Sequence, residues 1–370
     1  MIAPQSSTTT VAREALQAGD LVAVTGANGF VGCHVVAAAL RHGLRVRAIV
    51  RDEDDIKKRA PILALLQQLA IDPGDRLSFA SGDLLQPGSY DDAIAGCDGV
   101  AHVAAVARFT APNPQRDIVD PSVLGVDNVY AAIAKAASVR RVAHTSSVAA
   151  IMRASDARKG HVFGDDDWNT ESTLKNDAYG YAKALAERRA WAQVAAMDEA
   201  TRPHLVVINP ALVLGRVTDW SHVRSSPTIL RDLIIGKFPA CPAMHFGFVD
   251  AEDVAEAHIQ ALLQQGASGR YIVCAEQGWL RDLALRISAL YPTYKVPTRR
   301  MPNFVLRIVA RFDKRINNEL LDLVLDNEVR YDASRSRDDL GIRYAALDDS
   351  IVRTVNSLVA GGWAKPKLKR

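Results

Sequence analysis

A glycine-rich turn between a short apolar strand and a helix is the feature that most limits how this chain can fold. The strand is predicted at Leu21–Thr25, and Gly26, Gly29 and Gly32 follow it directly. A helical pattern that begins at Phe30 completes a strand–turn–helix unit. Glycines let the backbone turn tightly and approach a pyrophosphate, and a helix N-terminus favours its charge, so the unit predicts a dinucleotide site. The alternative is a close-packed turn without a ligand, since a glycine triad alone is a weak signal.

Beyond this unit, short apolar runs alternate with Ala- and Leu-rich helical patterns. Strands are predicted at 21–25, 44–50, 76–80, 99–103, 140–144, 204–209 and 270–274. Helices are predicted at 30–42, 54–70, 89–95, 121–137, 178–197 and 251–264. Because the strands are nearly continuous apolar runs, both faces of their sheet must be covered. The pattern therefore predicts an α/β fold, a doubly wound parallel sheet of the Rossmann type with a smaller, mainly C-terminal substrate lobe.

Two stretches interrupt the alternation and set the expected domain limits. Residues 216–245 are loop-like, and the chain from about 276 is irregular and mostly helical. Both stretches follow late strands, and doubly wound folds bind ligands beyond the carboxyl ends of their strands. We therefore expect a flexible segment at 1–19, a dinucleotide-binding domain at 20–215 plus 246–275, a substrate lobe at 216–245 plus 276–362, and a basic tail at 363–370.

Composition and charge narrow the partners and the location. The 370 residues are 48% hydrophobic, and the net charge of +3 is too weak and dispersed to indicate nucleic-acid binding. No apolar run approaches the ~20 residues of a membrane span, and the N-terminus lacks a signal-peptide pattern. The four cysteines have no paired or metal-binding spacing, so we expect reduced thiols, no metal site and a cytoplasmic protein. We expect a monomer or a homodimer, and a basic tail that is solvated and disordered rather than in contact with a membrane.

The ends of the next three strands carry residues suited to the rest of a dinucleotide. Arg51 ends the second strand, where a guanidinium would take the 2′-phosphate of NADP and a carboxylate would select NAD. Lys58 follows, and the acidic run at 52–55 leaves a solvated charge cluster as the alternative. Asp83 could meet the adenine amino group, and the small residues at 104–105 could lie against the cofactor. We therefore predict NADP(H) as the cofactor.

A run of hydroxyl side chains and a Tyr–Lys pair form the expected catalytic site. The fifth strand leads into Thr145, Ser146 and Ser147, at the side of the sheet where doubly wound enzymes place their chemistry. Tyr179 and Lys183 lie four residues apart, on one face of a predicted helix. Tyr179 would exchange a proton with a substrate oxygen, and because a free Tyr titrates near ~10, the charge of Lys183 would favour the phenolate. Alone, the pair could be a surface contact; together with the glycine turn it predicts hydride transfer between a nicotinamide and a C–O carbon.

As a set, these motifs resemble those of the extended short-chain dehydrogenases/reductases. The similarity is greatest to the dihydroflavonol-reductase-like branch, which includes aldehyde and ketone reductases. It runs from about residue 20 to 275 and is carried by residues 25–32, 46–52, 82–84, 102–105, 145–147, 167–169, 179–183, 185–187 with Trp191, 209–215 and 248–253. The resemblance implies an NADPH-dependent enzyme that acts on a small-molecule carbonyl substrate.

The resemblance also implies particular site residues. Ser147, Tyr179 and Lys183 would be catalytic, with Tyr179 as the general acid in reduction. The cofactor-binding residues would be Thr25, Gly26, Asn28, Gly29, Phe30, Val31, Gly32, Arg51, Lys58, Asp83, Leu84, Val103, Ala104, Ala105, Tyr179, Lys183, Pro210, Ala211, Leu212 and Val213.

A largely apolar substrate pocket is expected. It would draw on Met152, Trp220 and Phe238, and it has no cluster of Arg and Lys to hold a nucleotide-sugar diphosphate. Such a pocket suits a hydrophobic aldehyde or ketone. Plant flavonoid reductases carry an Asn at the position of Met152, which argues against a flavonoid substrate.

Three other functions stay open on the sequence alone. A sugar-nucleotide epimerase or dehydratase would share the fold, although dehydratases carry an Asp-Glu pair and epimerases a Val-Tyr-Gly where this chain has residues 147–150. A hydroxysteroid dehydrogenase/isomerase would share the Tyr–Lys site and differ mainly in its C-terminal half. A non-catalytic NADP-sensing protein would keep the fold without the chemistry, and the intact Ser147, Tyr179 and Lys183 argue against it.

Overall fold

The central element of the structure is a parallel sheet with helices on both faces. A computed structural model describes residues 13–106, 108, 111–224, 226–310 and 318–369. The strands are β1 Leu21–Thr25, β2 Arg45–Val50, β3 Leu77–Ser81, β4 Gly99–His102, β5 Arg141–Thr145, β6 Val162–Phe163, β7 His204–Pro210, β8 Leu212–Leu214, β9 His245–Asp250, β10 Gly269–Val273, β11 Glu276–Trp279 and β12 Arg330–Tyr331. The helices are α1 Phe30–Arg41, α2 Ile56–Gln68, α3 Asp91–Ile94, α4 Asp120–Lys135, α5 Ala154–Ala157, α6 Ala178–Ala195, α7 Thr228–Ile234, α8 Ala251–Leu263, α9 Leu280–Leu290, α10 Asn303–Ala310, α11 Asn318–Val324, α12 Ser334–Asp338 and α13 Leu347–Ala360.

Seven strands form the main sheet in the order β3-β2-β1-β4-β5-β7-β10, and every neighbouring pair is parallel. The strand order reverses between β1 and β4, which is the position where doubly wound sheets bind their ligands. The predicted Rossmann-type sheet is therefore confirmed, and each predicted strand and helix of this region agrees with the structure to within two residues at either end.

The two faces of the sheet bury separate layers of apolar side chains. On one face, Val35 of α1 and Ile259 of α8 join a core with the buried Val24 of β1. On the other face, Val129 of α4 and Ala190 of α6 pack in a second core. Because both faces are covered, the strands are apolar throughout rather than alternating, as the sequence pattern indicates.

Smaller elements lie beyond the carboxyl ends of the main strands. Strands β8, β9 and β11 form a mixed sheet, and β6 pairs with β12. Helix α13 is joined to the end of β8 by the Gly215 N–H, which donates to the Thr354 hydroxyl at 2.7 Å. None of the helices among the described residues is long and apolar enough to cross a membrane.

The first described residues are held against the domain. Leu16 is buried, and its N–H donates to the Leu262 carbonyl at the end of α8 (2.9 Å). The Arg13 carbonyl accepts from the guanidinium of Arg141 at 3.3 Å. The expected flexible segment at 1–19 is therefore wrong for residues 13–19, because their backbone is paired. Residues 1–12 lie outside the described residues.

The basic tail is also paired. The Lys367 N–H donates to the Ile234 carbonyl (2.9 Å), and its carbonyl accepts from the Lys295 N–H (2.6 Å). The Lys369 N–H donates to the Thr293 carbonyl (2.9 Å). The expectation of a disordered tail is therefore wrong for residues 363–369: their lysines face solvent, but their backbone hydrogen bonds fix them to α7 and to the loop after α9.

Candidate active site

The glycine turn has the close approaches that a dinucleotide site needs. Gly26 has φ +62°, and a Cβ there would lie 2.8 Å from the Cα of Ala104. A Cβ at Gly32 would lie 2.1 Å from the Gly26 carbonyl oxygen. Gly29 caps α1, which begins at Phe30. The turn therefore presents glycine backbone at a helix N-terminus, which fits the pyrophosphate of a dinucleotide.

Thr25 ties this turn to the neighbouring strand end. Its Oγ1 accepts from the N–H groups of Val103 and Ala104, each at 3.1 Å, and is hydrogen-bonded to His102 Nδ1 at 2.8 Å. These bonds join the ends of β1 and β4 at the point where the strand order reverses. The structure therefore brings Thr25, Gly26, Val103 and Ala104 together, as the sequence predicts.

A pocket opens next to these residues, at the carboxyl ends of β4 and β5. Its lining includes Leu84, Ala104, Ala105, Thr145 and Lys183. Of its fourteen lining residues, four are predicted cofactor residues: Leu84, Ala104, Ala105 and Lys183. The pocket is bounded on the far side by the first turns of α4.

The other residues of the glycine turn contact the segment after β8. The Asn28 carbonyl accepts from Nε2 of the buried His222 at 2.9 Å. The Phe30 ring is 6.0 Å from the His222 ring, and Val31 packs against the core. His222 is thus a support of the turn that the sequence did not reveal, because nothing in its local pattern marks its distant partner.

Arg51, predicted to bind the phosphate, lies next to Asp83, predicted to lie near adenine. The Arg51 Nε is 3.3 Å from the Asp83 Oδ2, and the Arg51 side chain is 74% exposed. Lys58 lies in the first turn of α2, whose N-cap is Asp55. An exposed ion pair is worth little in free energy, so Arg51 can exchange Asp83 for a phosphate at small cost.

Ser147 and Tyr179 meet at the end of β5. Ser147 caps a short 3₁₀ turn, and its Oγ accepts from the Ala149 N–H at 3.1 Å. The Tyr179 phenol is hydrogen-bonded to the Ser147 side chain, and Lys183 Nζ lies 6.0 Å from the centre of the Tyr179 ring. The structure therefore brings together the three residues predicted to be catalytic.

Burial sets the proton affinities of the pair. It raises the pKa of Tyr179 to about 12, although the Ser147 hydrogen bond opposes this. It lowers the pKa of Lys183 to about 8, although the charge of Glu187 opposes this. The sequence predicts that Lys183 favours the phenolate, but in the structure desolvation has the largest effect on the Tyr179 pKa and favours the protonated phenol. At neutral pH the site therefore holds a protonated phenol beside a cationic lysine.

A polar loop fixes the start of α6 relative to Ser147. The Asn169 amide donates to the Ala149 carbonyl (2.8 Å) and to the Ser172 hydroxyl (2.7 Å). Ser172 donates to Asp177, and Asp177 caps α6 by accepting from the Gly180 N–H at 3.0 Å. This chain of bonds connects the first turn of α6, which carries Tyr179, to the residues after Ser147.

The predicted nicotinamide residues run from the end of β7 into β8. Pro210 ends that strand, the Ala211 N–H donates to the Val273 carbonyl (3.0 Å), and Leu212 and Val213 open β8. The preceding side chain, Asn209, donates to the Ser147 carbonyl at 3.2 Å. The segment 210–213 is therefore anchored beside Ser147.

The predicted substrate residues are not gathered at one place. Met152 lies one turn after Ser147 and packs against the core, as does Phe238. Trp220 is 40% exposed and lies under the Arg231 guanidinium, 5.1 Å from its ring centre. Its segment contacts the cofactor turn through His222. A role of Trp220 toward a substrate stays a prediction.

A family model and individual relatives agree with this geometry. The model of the NAD dependent epimerase/dehydratase family matches residues 22–275. The chain belongs to this family. The expected membership of the extended short-chain dehydrogenases/reductases, in the dihydroflavonol-reductase-like branch, is confirmed.

Proteins named as reductases are among the relatives of this short-chain dehydrogenase/reductase. It is 31% identical to cinnamoyl-CoA reductase CAD2 of Medicago truncatula, over 92% of this chain and 96% of the relative. It is 36% identical to an anthocyanidin reductase of Vitis vinifera, over 74% and 82%. The crystal structure of Gre2 from Candida albicans with NADPH superposes with a TM-score of 0.74 at 26% identity, over 92% and 99%. The protein is accordingly an NADP(H)-dependent oxidoreductase.

Proposed function

We propose that this enzyme reduces a largely hydrophobic aldehyde or ketone to the alcohol, with NADPH as cofactor and Tyr179 as general acid. The observation that carries the proposal is the hydrogen bond between Tyr179 and Ser147 beside Lys183. Two hydroxyl groups that already share a hydrogen bond can both turn to one substrate oxygen, which is the geometry that carbonyl reduction needs.

Each residue has a distinct part in this chemistry. Ser147 donates to the carbonyl oxygen and orients it. Tyr179, whose pKa of about 12 keeps its proton at neutral pH, transfers that proton as the alcohol forms. Lys183, with a pKa of about 8, holds its proton below that pH and compensates the negative charge that remains on the phenol oxygen. When bound, NADPH supplies the hydride.

The cofactor assignment rests on the donors that surround the glycine turn. We propose that residues 25–32 hold the pyrophosphate, that Arg51 and Lys58 hold the 2′-phosphate, and that Asp83 and Leu84 lie near adenine. We further propose that residues 103–105 and 210–213 lie along the nicotinamide half, next to Lys183. The close backbone approaches at Gly26 and Gly32 and the exposed Arg51 support this arrangement.

The substrate class follows from the apolar character of the nearby segments. We assign the substrate lobe to residues 216–245 plus 276–362, with the dinucleotide-binding domain at 20–215 plus 246–275. Met152 and Phe238 are partly buried hydrophobic residues, and Phe246 stands next to Phe248 with 6.2 Å between ring centres. Such surfaces favour a hydrophobic carbonyl compound over a charged sugar nucleotide. The reductases among the relatives support the same reaction type.

The four cysteines bear on where the enzyme works. All are buried free thiols, and burial raises the pKa of Cys97 and Cys241 to about 11. A thiol in that state is a poor nucleophile, which supports a structural role and the proposed location in the reducing cytoplasm.

A spectrophotometric screen of NADPH oxidation tests the function. Aldehydes, ketones, α-dicarbonyls, steroids and UDP- and dTDP-sugars are compared at equal concentration, with NADH as the alternative cofactor. We expect turnover of hydrophobic aldehydes or ketones and none of the sugar nucleotides. A sugar nucleotide epimerised or dehydrated faster than every carbonyl tested would overturn the proposal. NADPH binding without turnover of any compound would indicate a sensing protein instead.

A further inference from the structure

A buried carboxylate lies on the same helix as Lys183. Glu187 lies one helical turn after Lys183 on α6 and has no exposed surface. It accepts hydrogen bonds from Arg270 Nε (2.5 Å), from Ser146 Oγ (2.5 Å) and from Asn209 Nδ2 (3.0 Å). Strands β7 and β10 and the residue after β5 therefore each bring a polar group to this one side chain.

The guanidinium that faces Glu187 is itself fully engaged. Arg270, on β10, lies flat on Trp168, with 3.9 Å from its central carbon to the ring centre. It also donates to the carbonyls of Asp165 (2.8 Å) and Asp167 (2.5 Å). A buried ion pair stabilises a fold little, because desolvation offsets its attraction. The network therefore calls for an explanation other than stability.

The partners of Glu187 are the neighbours of the catalytic serine. Ser146 precedes Ser147, and its N–H donates to the Ile208 carbonyl at 2.7 Å. Asn209 divides its amide between Glu187 and the Ser147 carbonyl (3.2 Å). Glu187 thus holds the backbone on both sides of the Ser147 hydroxyl while standing on the same helix as Tyr179 and Lys183.

We propose that Glu187 is a positioning residue of the catalytic centre: through Ser146 and Asn209 it fixes Ser147 against α6, and its charge keeps Lys183 cationic. The proposal rests on the proposed roles of Ser147, Tyr179 and Lys183. It adds a residue that acts through these three without touching the substrate.

The other titratable groups that surround Lys183 are uncharged, so Glu187 supplies the negative charge that acts on it. His102 on β4 and His144 on β5 face Lys183, and burial lowers the pKa of both, so they are neutral at physiological pH. Tyr179 holds its proton, as does Tyr130 on α4, whose pKa burial raises. The Glu187 carboxylate is the charge that opposes the loss of the Lys183 proton.

The charge is tested with Glu187→Gln, which keeps the size of the side chain. The loss of the carboxylate lowers the pKa of Lys183, so the alkaline fall of kcat moves to lower pH by about one pH unit. The NADPH affinity, measured by fluorescence titration between pH 6 and 10, falls over the same shifted range, because Lys183 lies beside the cofactor. Glu187→Asp keeps the charge, and its two profiles stay close to those of the wild type.

A matched control breaks a comparable ion pair elsewhere. Asp250 is buried and lies 3.0 Å from Arg353. Asp250→Asn lowers the melting temperature and leaves both pH profiles in place. If the alkaline fall of kcat in Glu187→Gln coincides with that of the wild type, the electrostatic part of the proposal is wrong. It is also wrong if Asp250→Asn shifts that fall by the same amount as Glu187→Gln.

The positioning is tested separately with Asn209→Ala, which cuts the link to the Ser147 carbonyl but keeps the carboxylate. We expect kcat to fall roughly 10- to 100-fold, with the alkaline limb unmoved. Wild-type kcat in this variant rejects the positioning role, and the variant keeps the proposal testable if Glu187→Gln does not fold. Were the wild type to reduce no carbonyl compound, the proposed function would fail, while the pH dependence of NADPH binding would still decide whether Glu187 controls Lys183.

Discussion

Tyr179 and Lys183 are both driven toward their neutral forms by burial, and this determines how the pair can act. A phenol that keeps its proton is an acid ready for reduction, and a lysine with a pKa of about 8 responds to small changes nearby. The four-residue spacing predicts that the two share a helical face. It does not predict their desolvation, because the surrounding groups come from β4, β5 and α4, which are distant in sequence.

The proposed preference for NADPH rests on one exposed side chain, Arg51. Arg51→Ala removes a charge-assisted phosphate contact worth about 1.5–3 kcal/mol, or about one to two decades in affinity. We expect the Kd of NADPH to rise by that factor and the Kd of NADH to change little. Arg41→Ala, which removes an exposed charge from the far end of α1, is the matched control. A wild-type enzyme that already prefers NADH would show that Arg51 does not have this role.

The strand–turn–helix unit is the element that the sequence predicts most completely. Strand β1 and helix α1 begin where predicted, and the glycine spacing alone indicates close backbone approaches at the turn. The hydrogen bond from His222 to Asn28 could not be predicted in this way, because the two residues are 194 positions apart in the chain. Local patterns thus predict the elements of the site, whereas the loops that hold them in place depend on the tertiary fold.

A methyl group at the third glycine should disrupt this element. In Gly32→Ala the new Cβ would meet the Gly26 carbonyl oxygen at 2.1 Å, so the turn must move. We expect the Kd of NADPH to rise at least about tenfold, equivalent to about 1.4 kcal/mol, as isothermal titration calorimetry can measure. Gly266→Ala, where a Cβ meets nothing within 4 Å, serves as the control. Unchanged NADPH affinity in Gly32→Ala would show that the turn does not bind the pyrophosphate.

Across the whole molecule, contacts between segments that are distant in the sequence hold the locally predicted elements in place. Arg270 reaches Glu187 over 83 residues, and the tail reaches back to Ile234 and Thr293. A charged residue inside an apolar strand was the signal available for Arg270, but its partner could not be identified from the sequence. For the tail, the lysine-rich composition indicated a solvated end, but the backbone groups of Lys367 and Lys369 are hydrogen-bonded to the domain.

Removal of the tail should therefore cost stability. Deletion of residues 363–370 removes five backbone hydrogen bonds, three of which join the tail to α7 and to the loop after α9. It also removes the buried Ala364, so we expect the free energy of unfolding to fall by about 2–4 kcal/mol. Urea denaturation measures the change. The double variant Lys365→Ala and Lys369→Ala keeps the backbone and should differ by less than about 0.5 kcal/mol. A deletion with an unchanged midpoint would mean that the tail does not contribute to the stability of the fold.

The most direct test of the catalytic centre is the turnover of Tyr179→Phe. This variant removes the phenol hydroxyl and leaves the glycine turn and Arg51 intact. We predict that kcat for carbonyl reduction falls by at least ~10²- to 10⁴-fold, while the Kd of NADPH stays within about twofold of the wild type. Near-normal turnover in Tyr179→Phe would contradict the account and would transfer the acid role to another group, with Tyr181 as the first candidate.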